Sequence, residues 1–481
     1  MHIQDPGFYE TLYAQNRHSN KLKHLEHRFN NVMSAFASAE HHVHRVRRAA
    51  LNPFFSKRKI AQHSPNIQRH MNRLARRVTE EFVGNGNVLN LNNMWGAFTS
   101  DIVVGYTLEK PYDFILEPDF RAAFSDAMYV FCLFHHHLQK KKKKKKKKTM
   151  LTTHLTKKNR ESLTDPVHFI TQFPWMIKSL QKLPDWLVVL LSPPMRDVIA
   201  FNKEMEIQIV RAKKAAASPD YDKEKGGDSG APSSLFKALL EDPDLPPSEL
   251  TTRRLQHEAI SVIGAGIETT MYTLSTCSYH LLANPPILAE LQAELDAAIP
   301  NPADIPHLDV LMQLPYLTAV VNEALRFGYG TPQRIPRECP SDFTYAASSL
   351  AASHPANARD YNLPKGYPVS MDHYTASHDP IVFAPDPHTF RPERWLGNPV
   401  APDGKALSRY NIAFGRGTRS CVGMQLAYAD LYIGLATFYR RFDCELFQTE
   451  RDAVDLFMDL FVPRPKPGTK GVRVKVLGMR G

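Results

Sequence analysis

The stretch Phe414-Gly-Arg-Gly-Thr-Arg-Ser-Cys-Val-Gly423 governs how the rest of the chain is read. Three glycines in ten residues do not suit a regular helix, where each costs about 1 kcal/mol against alanine, so the run is a loop shaped for close backbone approach. Directly after it, Leu426, Ala429, Ile433, Ala436 and Phe438 recur at helical spacing within residues 424 to 440. Cys421 therefore lies just ahead of a helix N-terminus, where amide groups and the helix dipole favour a thiolate, the form that binds metal. By itself a cysteine in a glycine-rich loop is more often a small buried residue than a ligand. Its neighbours decide.

Composition bounds the answer. The 481 residues are 43% hydrophobic and 10% aromatic, enough for one large core in a single domain or two fused lobes. The formal net charge is +11, but Lys140 to Lys148 supply nine of those charges and leave +2, so basicity makes no case for a nucleic-acid partner. Five cysteines, Cys132, Cys277, Cys339, Cys421 and Cys444, are odd in number and form no Cys-x-x-Cys pair, which suits a reducing compartment. No run of about 20 apolar residues is present. The start, Met1-His-Ile-Gln-Asp-Pro6, lacks the charged and apolar parts of a secretory signal.

The longest helical pattern follows Pro246-Pro-Ser248 and ends at Asn284-Pro-Pro286, with Leu255, Ile260, Ile263, Ile267, Met271, Leu274 and Leu281 on its apolar face. At 1.5 Å per residue it would run roughly 50 Å. Its middle, Val262-Ile-Gly-Ala-Gly-Ile-Glu-Thr-Thr270, also opens like a dinucleotide-binding turn, with Gly264 and Gly266 in the first two glycine positions. Thr269 stands at the third position, however, and Arg253 to Glu258 is charged helix rather than buried strand. Two glycines inside a helix cost about 2 kcal/mol together, and that cost wants a reason.

Phe414, Gly417, Arg419, Cys421 and Gly423 match Phe-x-x-Gly-x-Arg-x-Cys-x-Gly, and by them the chain resembles the cytochrome P450 superfamily of haem-thiolate monooxygenases. Its wording is most similar to fungal microsomal members, including the trichodiene oxygenase-like group. The resemblance implies a mainly α fold with small β-sheets and haem b between helices I and L. Cys421 would be the axial thiolate on iron, where it pushes electron density toward O–O cleavage, and Arg419 would fork onto a haem propionate. Residues 262 to 270 resemble the helix I motif Ala-Gly-x-Asp/Glu-Thr-Thr at Ala265, Gly266, Glu268, Thr269 and Thr270. By that match Thr269 and Glu268 manage oxygen and protons, and the glycines admit haem and dioxygen.

Other motifs follow in family order. His44-Arg-Val-Arg-Arg48 resembles helix C, which makes Arg48 and His44 propionate candidates, although a basic face is commonly just solvated. Ile335-Pro-Arg337 resembles the strand whose arginine meets a propionate. Glu323 and Arg326, three apart on one helix face within residues 314 to 327, would form a structural triad with Arg394 of Pro387-His-Thr-Phe-Arg-Pro-Glu-Arg-Trp395. Phe36, Ile263, Tyr329, Pro332 and Phe457, with Phe327, are expected on the substrate side. Residues 455–461 and 471–477 are expected to close the fold as a hairpin with Phe457 or Met458 at its tip.

Residues 1–477 are expected to form one monooxygenase domain. Only 43 residues precede His44, fewer than the anchor, hinge, first sheet and two helices that fungal members carry there, so an N-terminally truncated domain is expected. Residues 135–165, with His135 to His137 beside the lysine run, read as a disordered insert, because like charges in a block repel. Family helices resume near Gln172-Phe-Pro-Trp175 and Leu183-Pro-Asp-Trp186, further helices are expected over 67–82, 97–108 and 196–214, and 218–234 reads as a surface loop. The implied reaction inserts one atom of O2 into an apolar small molecule of secondary-metabolite or terpenoid type. Electrons would come from NADPH through an NADPH-cytochrome reductase, docked on basic groups such as Arg416 around the Cys421 loop. The expected state is a monomer at the endoplasmic reticulum membrane. A haem-thiolate isomerase or dehydratase, and a non-catalytic truncated remnant, are the alternatives.

Overall fold

A computed structural model describes residues 1–29, 31–108, 112–121, 184–191, 195–217, 234–351 and 359–481. The lysine-rich insert, the Gln172 to Trp175 segment and nearly all of the 218–234 loop lie outside these residues. Among the described residues the architecture is helical with four small antiparallel sheets.

The long helix spans Thr252–Ala283, 32 residues, capped at its start by the Thr251 side chain, which accepts from the Arg254 amide. It stops at Asn284, ahead of Pro285 and Pro286; Pro285 opens the next helix at its first position. Residues 262–270 are helical throughout, so the dinucleotide turn is excluded. One of their two glycines, Gly266, has a packing reason that the sequence did not disclose, while an added Cβ on Gly264 would meet nothing within 4 Å. The helix Leu91–Thr107 lies so close that a Cβ on Gly266 would stand 2.8 Å from Val103 Cγ2. The expected helices are present as Lys57–Phe82, Met195–Ala216, Pro315–Gly328 and Met424–Arg441. The last follows Cys421 directly and buries Leu426, Ala429, Ile433, Ala436 and Phe438 in the main core, beside Trp95, Phe98 and Leu274.

The sheet carries one correction. Strand β1 (Val88–Asn90) and strand β6 (Phe442–Leu446) flank β9 (Arg473–Met479) in a three-stranded sheet. Two-stranded pairs are β2 (Arg337–Glu338) with β5 (Pro368–Val369), β3 (Phe343–Tyr345) with β4 (Tyr361–Leu363), and β7 (Met458–Leu460) with β8 (Val462–Arg464). The 455–461 and 471–477 segments therefore do not pair with each other. Val474 and Val476 alternate into the core, which β9 meets between two partner strands, while β7 folds straight back on β8. The tip of that hairpin is Phe461, at φ 74°, with its amide bonded to Asp459 Oδ1 at 2.9 Å. A second, smaller core joins the N-terminal residues Ile3, Phe8, Tyr9, Leu12 and Tyr13 to Tyr345, Leu363, Val369 and Met371.

Candidate active site

A cavity of about 440 Å³ opens between the long helix, the Cys421 loop, residues 21–55, residues 330–337 and the β7–β8 hairpin. This is the size of a small-molecule or cofactor site. Cys421 lines it and is exposed to this space. The loop is closed by the Cys421 amide on the Phe414 carbonyl at 2.8 Å. Gly417, at φ 73°, is pressed against the chain's first helical segment, where an added Cβ would lie 2.2 Å from the Tyr13 carbonyl oxygen. This glycine thus answers to protein backbone rather than to the cavity. Burial raises the Cys421 pKa, while the Gly423 amide and the Arg48 charge pull it back down. Arg48 sits there because its Nη1 donates to the Ser420 carbonyl at 2.5 Å.

The cavity rim is overloaded with positive charge. Lys21, Arg48, Arg337 and Arg419 all line it, and among the described residues none is paired with a carboxylate. Lys21 donates to the Phe36 carbonyl at 2.6 Å, Arg337 to the Pro336 carbonyl at 2.9 Å, and Arg419 to the Ser38 and Ala39 carbonyls at 2.7 Å each. Burial, with Arg337 nearby, drives the Arg419 pKa down to about 9, and burial among these cations holds Lys21 well below its usual value. His44 is pushed to about 2 by burial and by the same charges, so it is neutral at pH 7. Its Nδ1 and Arg419 Nε are buried without a hydrogen-bond partner. Desolvated cations without counter-charge are costly. A dianionic ligand at this rim would offset that cost, so the residues present fit a group carrying two carboxylates.

The long helix supplies the next wall. Ala265, Gly266, Glu268, Thr269 and Thr270 line the cavity, and Ala265 is exposed only because the helix faces this space. Thr269 Oγ1 donates one turn back to the Ala265 carbonyl at 2.8 Å and keeps its acceptor capacity. Glu268 Oε2 accepts from Arg464 Nη2 of β8 at 2.5 Å. An aromatic wall completes the site. Phe461 lies edge-on to Phe29 at 4.7 Å and to Phe36 at 5.7 Å between ring centroids.

Of the sequence-derived residues, Cys421, Arg419, Arg48, His44, Arg337, Phe414, Gly423, Ala265, Gly266, Glu268, Thr269 and Phe36 come together around this cavity. Four substrate candidates do not. Ile263 is fully buried on a core-facing side of the long helix. Tyr329, at φ 58°, packs on Tyr374 and His378. Pro332 is buried with its carbonyl taking the Tyr374 amide, and Phe457, the residue before β7, is 62% exposed. Phe327 likewise packs on His280 and Phe390 in the core. Arg416 is engaged with Glu10 and the Arg409 carbonyl, not displayed as a free docking charge. Lys21, Phe29, Phe461 and Arg464 were missed, the last two because the hairpin was placed in the wrong pairing.

Glu323, Arg326 and Arg394 meet away from the cavity. Glu323 is fully buried and accepts five hydrogen bonds: two from Arg326 at 2.7 and 2.8 Å, one each from Arg394 Nε at 3.1 Å, the Arg391 amide at 2.8 Å and Trp395 Nε1 at 2.9 Å. Near the rim, His373 is fully buried with Nε2 2.7 Å from Tyr9 Oη and Nδ1 3.0 Å from the Tyr329 carbonyl.

With that geometry in place, comparison with known proteins is decisive for class. The family profile Cytochrome P450 matches residues 8–470. The chain is 38% identical to cytochrome P450 monooxygenase orf4 of Eupenicillium brefeldianum, covering 100% of this chain and 84% of that protein. It is 33% identical to tryptophan 6-hydroxylase fscE of Fusarium equiseti, over 99% of this chain and 82% of the relative. It is 30% identical to cytochrome P450 monooxygenase TRI4 of Trichoderma arundinaceum, over 99% and 82% respectively. The chain belongs to the cytochrome P450 family. It is a haem monooxygenase, an oxidoreductase acting on a small molecule with dioxygen and a redox partner.

Proposed function

We propose that Cys421 would supply the thiolate that holds the iron of haem b, and that Lys21, Arg48, Arg337 and Arg419, with His44 beside them, would hold its two propionates. One observation carries this reading: Lys21, Arg48, Arg337 and Arg419, none paired with a carboxylate among the described residues, line the same cavity as the Cys421 thiol. When bound, the haem supplies dioxygen activation under electron donation from its thiolate. The chain's own residues do the remainder. The Phe414 loop keeps the thiol out of bulk water, and Arg48 offsets part of the cost of its charge. Thr269 positions a hydroxyl on the cavity wall, and Glu268 holds and passes the protons that the overall reaction, RH + O2 + NADPH + H⁺ → ROH + H2O + NADP⁺, consumes.

Residues 1–477 act in this reading as one monomeric domain, with residues 135–165 as an insert. Electrons arrive through an NADPH-cytochrome reductase at the endoplasmic reticulum membrane, as the family resemblance implies. Among the described residues no helix is long and apolar enough to cross a membrane. The substrate is an apolar small molecule of secondary-metabolite type, which the aromatic wall supports.

The carbon monoxide difference spectrum of the reduced protein, beside Cys421→Ala, tests the ligand. A strongly red-shifted band that the substitution abolishes is expected; a band that survives it removes Cys421 from the iron. Arg337→Leu and Arg419→Leu should each lower haem occupancy, measured as haem per chain.

A further inference from the structure

The β7–β8 hairpin joins two parts of the site that are otherwise separate. Its tip, Phe461, packs edge-on against Phe29 and Phe36, which close the cavity from the N-terminal loop. Three residues on, Arg464 reaches the Glu268 carboxylate on the long helix. Among the described residues Arg464 is the one hydrogen-bond donor to that carboxylate. Phe461 also holds a left-handed backbone, uncommon for a bulky side chain and kept where surrounding contacts over-determine it.

The two sides of the aromatic wall are anchored differently. The N-terminal loop is tied down by its backbone: the Met33 amide to His257 Nδ1 at 3.2 Å, the Ala35 amide to Glu258 Oε2 at 3.0 Å, and the Ser38 and Ala39 carbonyls to Arg419. Glu258 is itself clamped by Arg254 at 2.5 Å, both fully buried. The hairpin pairs with itself over a three-residue ladder, and it meets the long helix through β8. A shift of the wall at Phe461 is carried along the hairpin to Arg464 across two residues of strand.

We propose that Arg464 is a positioning residue that couples occupancy of the Phe29–Phe36–Phe461 wall to the placement of the Glu268 carboxylate. With the wall closed, Arg464 holds Glu268 toward β8. With the tip displaced, the carboxylate is released to serve the cavity. This inference rests on the reading of Glu268 as the proton-handling group, and its test separates the two.

Hydrogen–deuterium exchange of residues 456–465 in the haem-loaded protein reads the coupling without turnover. Because coupling is reciprocal, Arg464→Gln and Glu268→Gln should each speed exchange there by at least about fivefold, with Arg464→Lys restoring most of the protection. Exchange unchanged in both Gln variants overturns the proposal. The second arm uses NADPH, reductase and dioxygen without substrate, and measures the share of oxygen leaving as H2O2 (O2 + NADPH + H⁺ → H2O2 + NADP⁺) rather than water (O2 + 2 NADPH + 2 H⁺ → 2 H2O + 2 NADP⁺). Arg464→Gln and Phe461→Ala should shift that share in the same direction, and the double variant no further than the larger single one. A shift in Arg464→Gln with none in Phe461→Ala breaks the link through the hairpin. An unchanged share in Glu268→Gln overturns the proton role of Glu268 instead, and the exchange arm then decides the coupling by itself.

Discussion

Two glutamates, each on a helix and each facing arginine, are held in opposite ways. Glu323 is completely enclosed, and its carboxylate is saturated by five donors from two arginines, one amide and one indole. Glu268 is partly open to the cavity and takes a single guanidinium from a short hairpin. A buried carboxylate with every lone pair occupied has no alternative geometry, so it fixes chain segments to one another. A carboxylate with one partner and a water-sized space beside it can exchange that partner. The same pair of residue types thus serves as a rivet in one place and as an adjustable contact in the other.

The contrast can be broken most severely at the rivet. Glu323→Ala leaves Arg326 and Arg394 buried without their shared anion and should cost about 3–5 kcal/mol. Urea unfolding, or soluble haem-loaded yield where the variant is too unstable to titrate, measures it. A loss below 1 kcal/mol would put Glu323 in the same class as Glu268. Next comes acid. His373 is held down to about pKa 4 by burial, so below the ordinary histidine value of about 6.5 the unfolded chain binds a proton that the folded chain refuses. Its contribution is complete above pH 6.5 and is lost as pH falls toward 4, worth at most about 3 kcal/mol. Unfolding midpoints across that range should fall with pH, and less steeply in His373→Gln.

Arg464→Gln belongs at the other end of the scale. A partly exposed pair contributes about 1 kcal/mol or less, so stability should barely move even where the exchange and peroxide readouts do. Smallest of all, Phe457→Ser should change stability by less than about 0.5 kcal/mol and leave the carbon monoxide band intact, because this ring points outward while Phe461 points in.

What could be read in advance follows the same division. Cys421, Arg419, Thr269, Glu268 and the Glu323–Arg326 pair sit in motifs a few residues long, whose spacing already implies a loop or one helix face. Lys21, Phe29 and Arg464 carry no such local mark. Their place depends on contacts between distant segments, as in the 196 positions separating Glu268 from Arg464. Ile263 shows a second limit. Helical periodicity identified it as apolar, but whether an apolar residue faces core or cavity depends on which helix packs against it. Phe457 failed for a third reason: the hairpin was expected between residues 455–461 and 471–477, whereas β7 folds straight back on β8, which puts the true tip four residues further on.

Arg419 has a practical bearing on how this protein is prepared. The guanidinium proposed to hold the cofactor also grips the Ser38 and Ala39 carbonyls, so on that proposal the roof segment and the prosthetic group share one fastening. Material made under haem shortage should be a mixture in which cofactor-free molecules are clipped by trypsin between Arg17 and Arg48 far sooner than loaded ones. Digestion before purification would then act as a sieve, leaving a uniform, fully loaded preparation for every spectrum that follows.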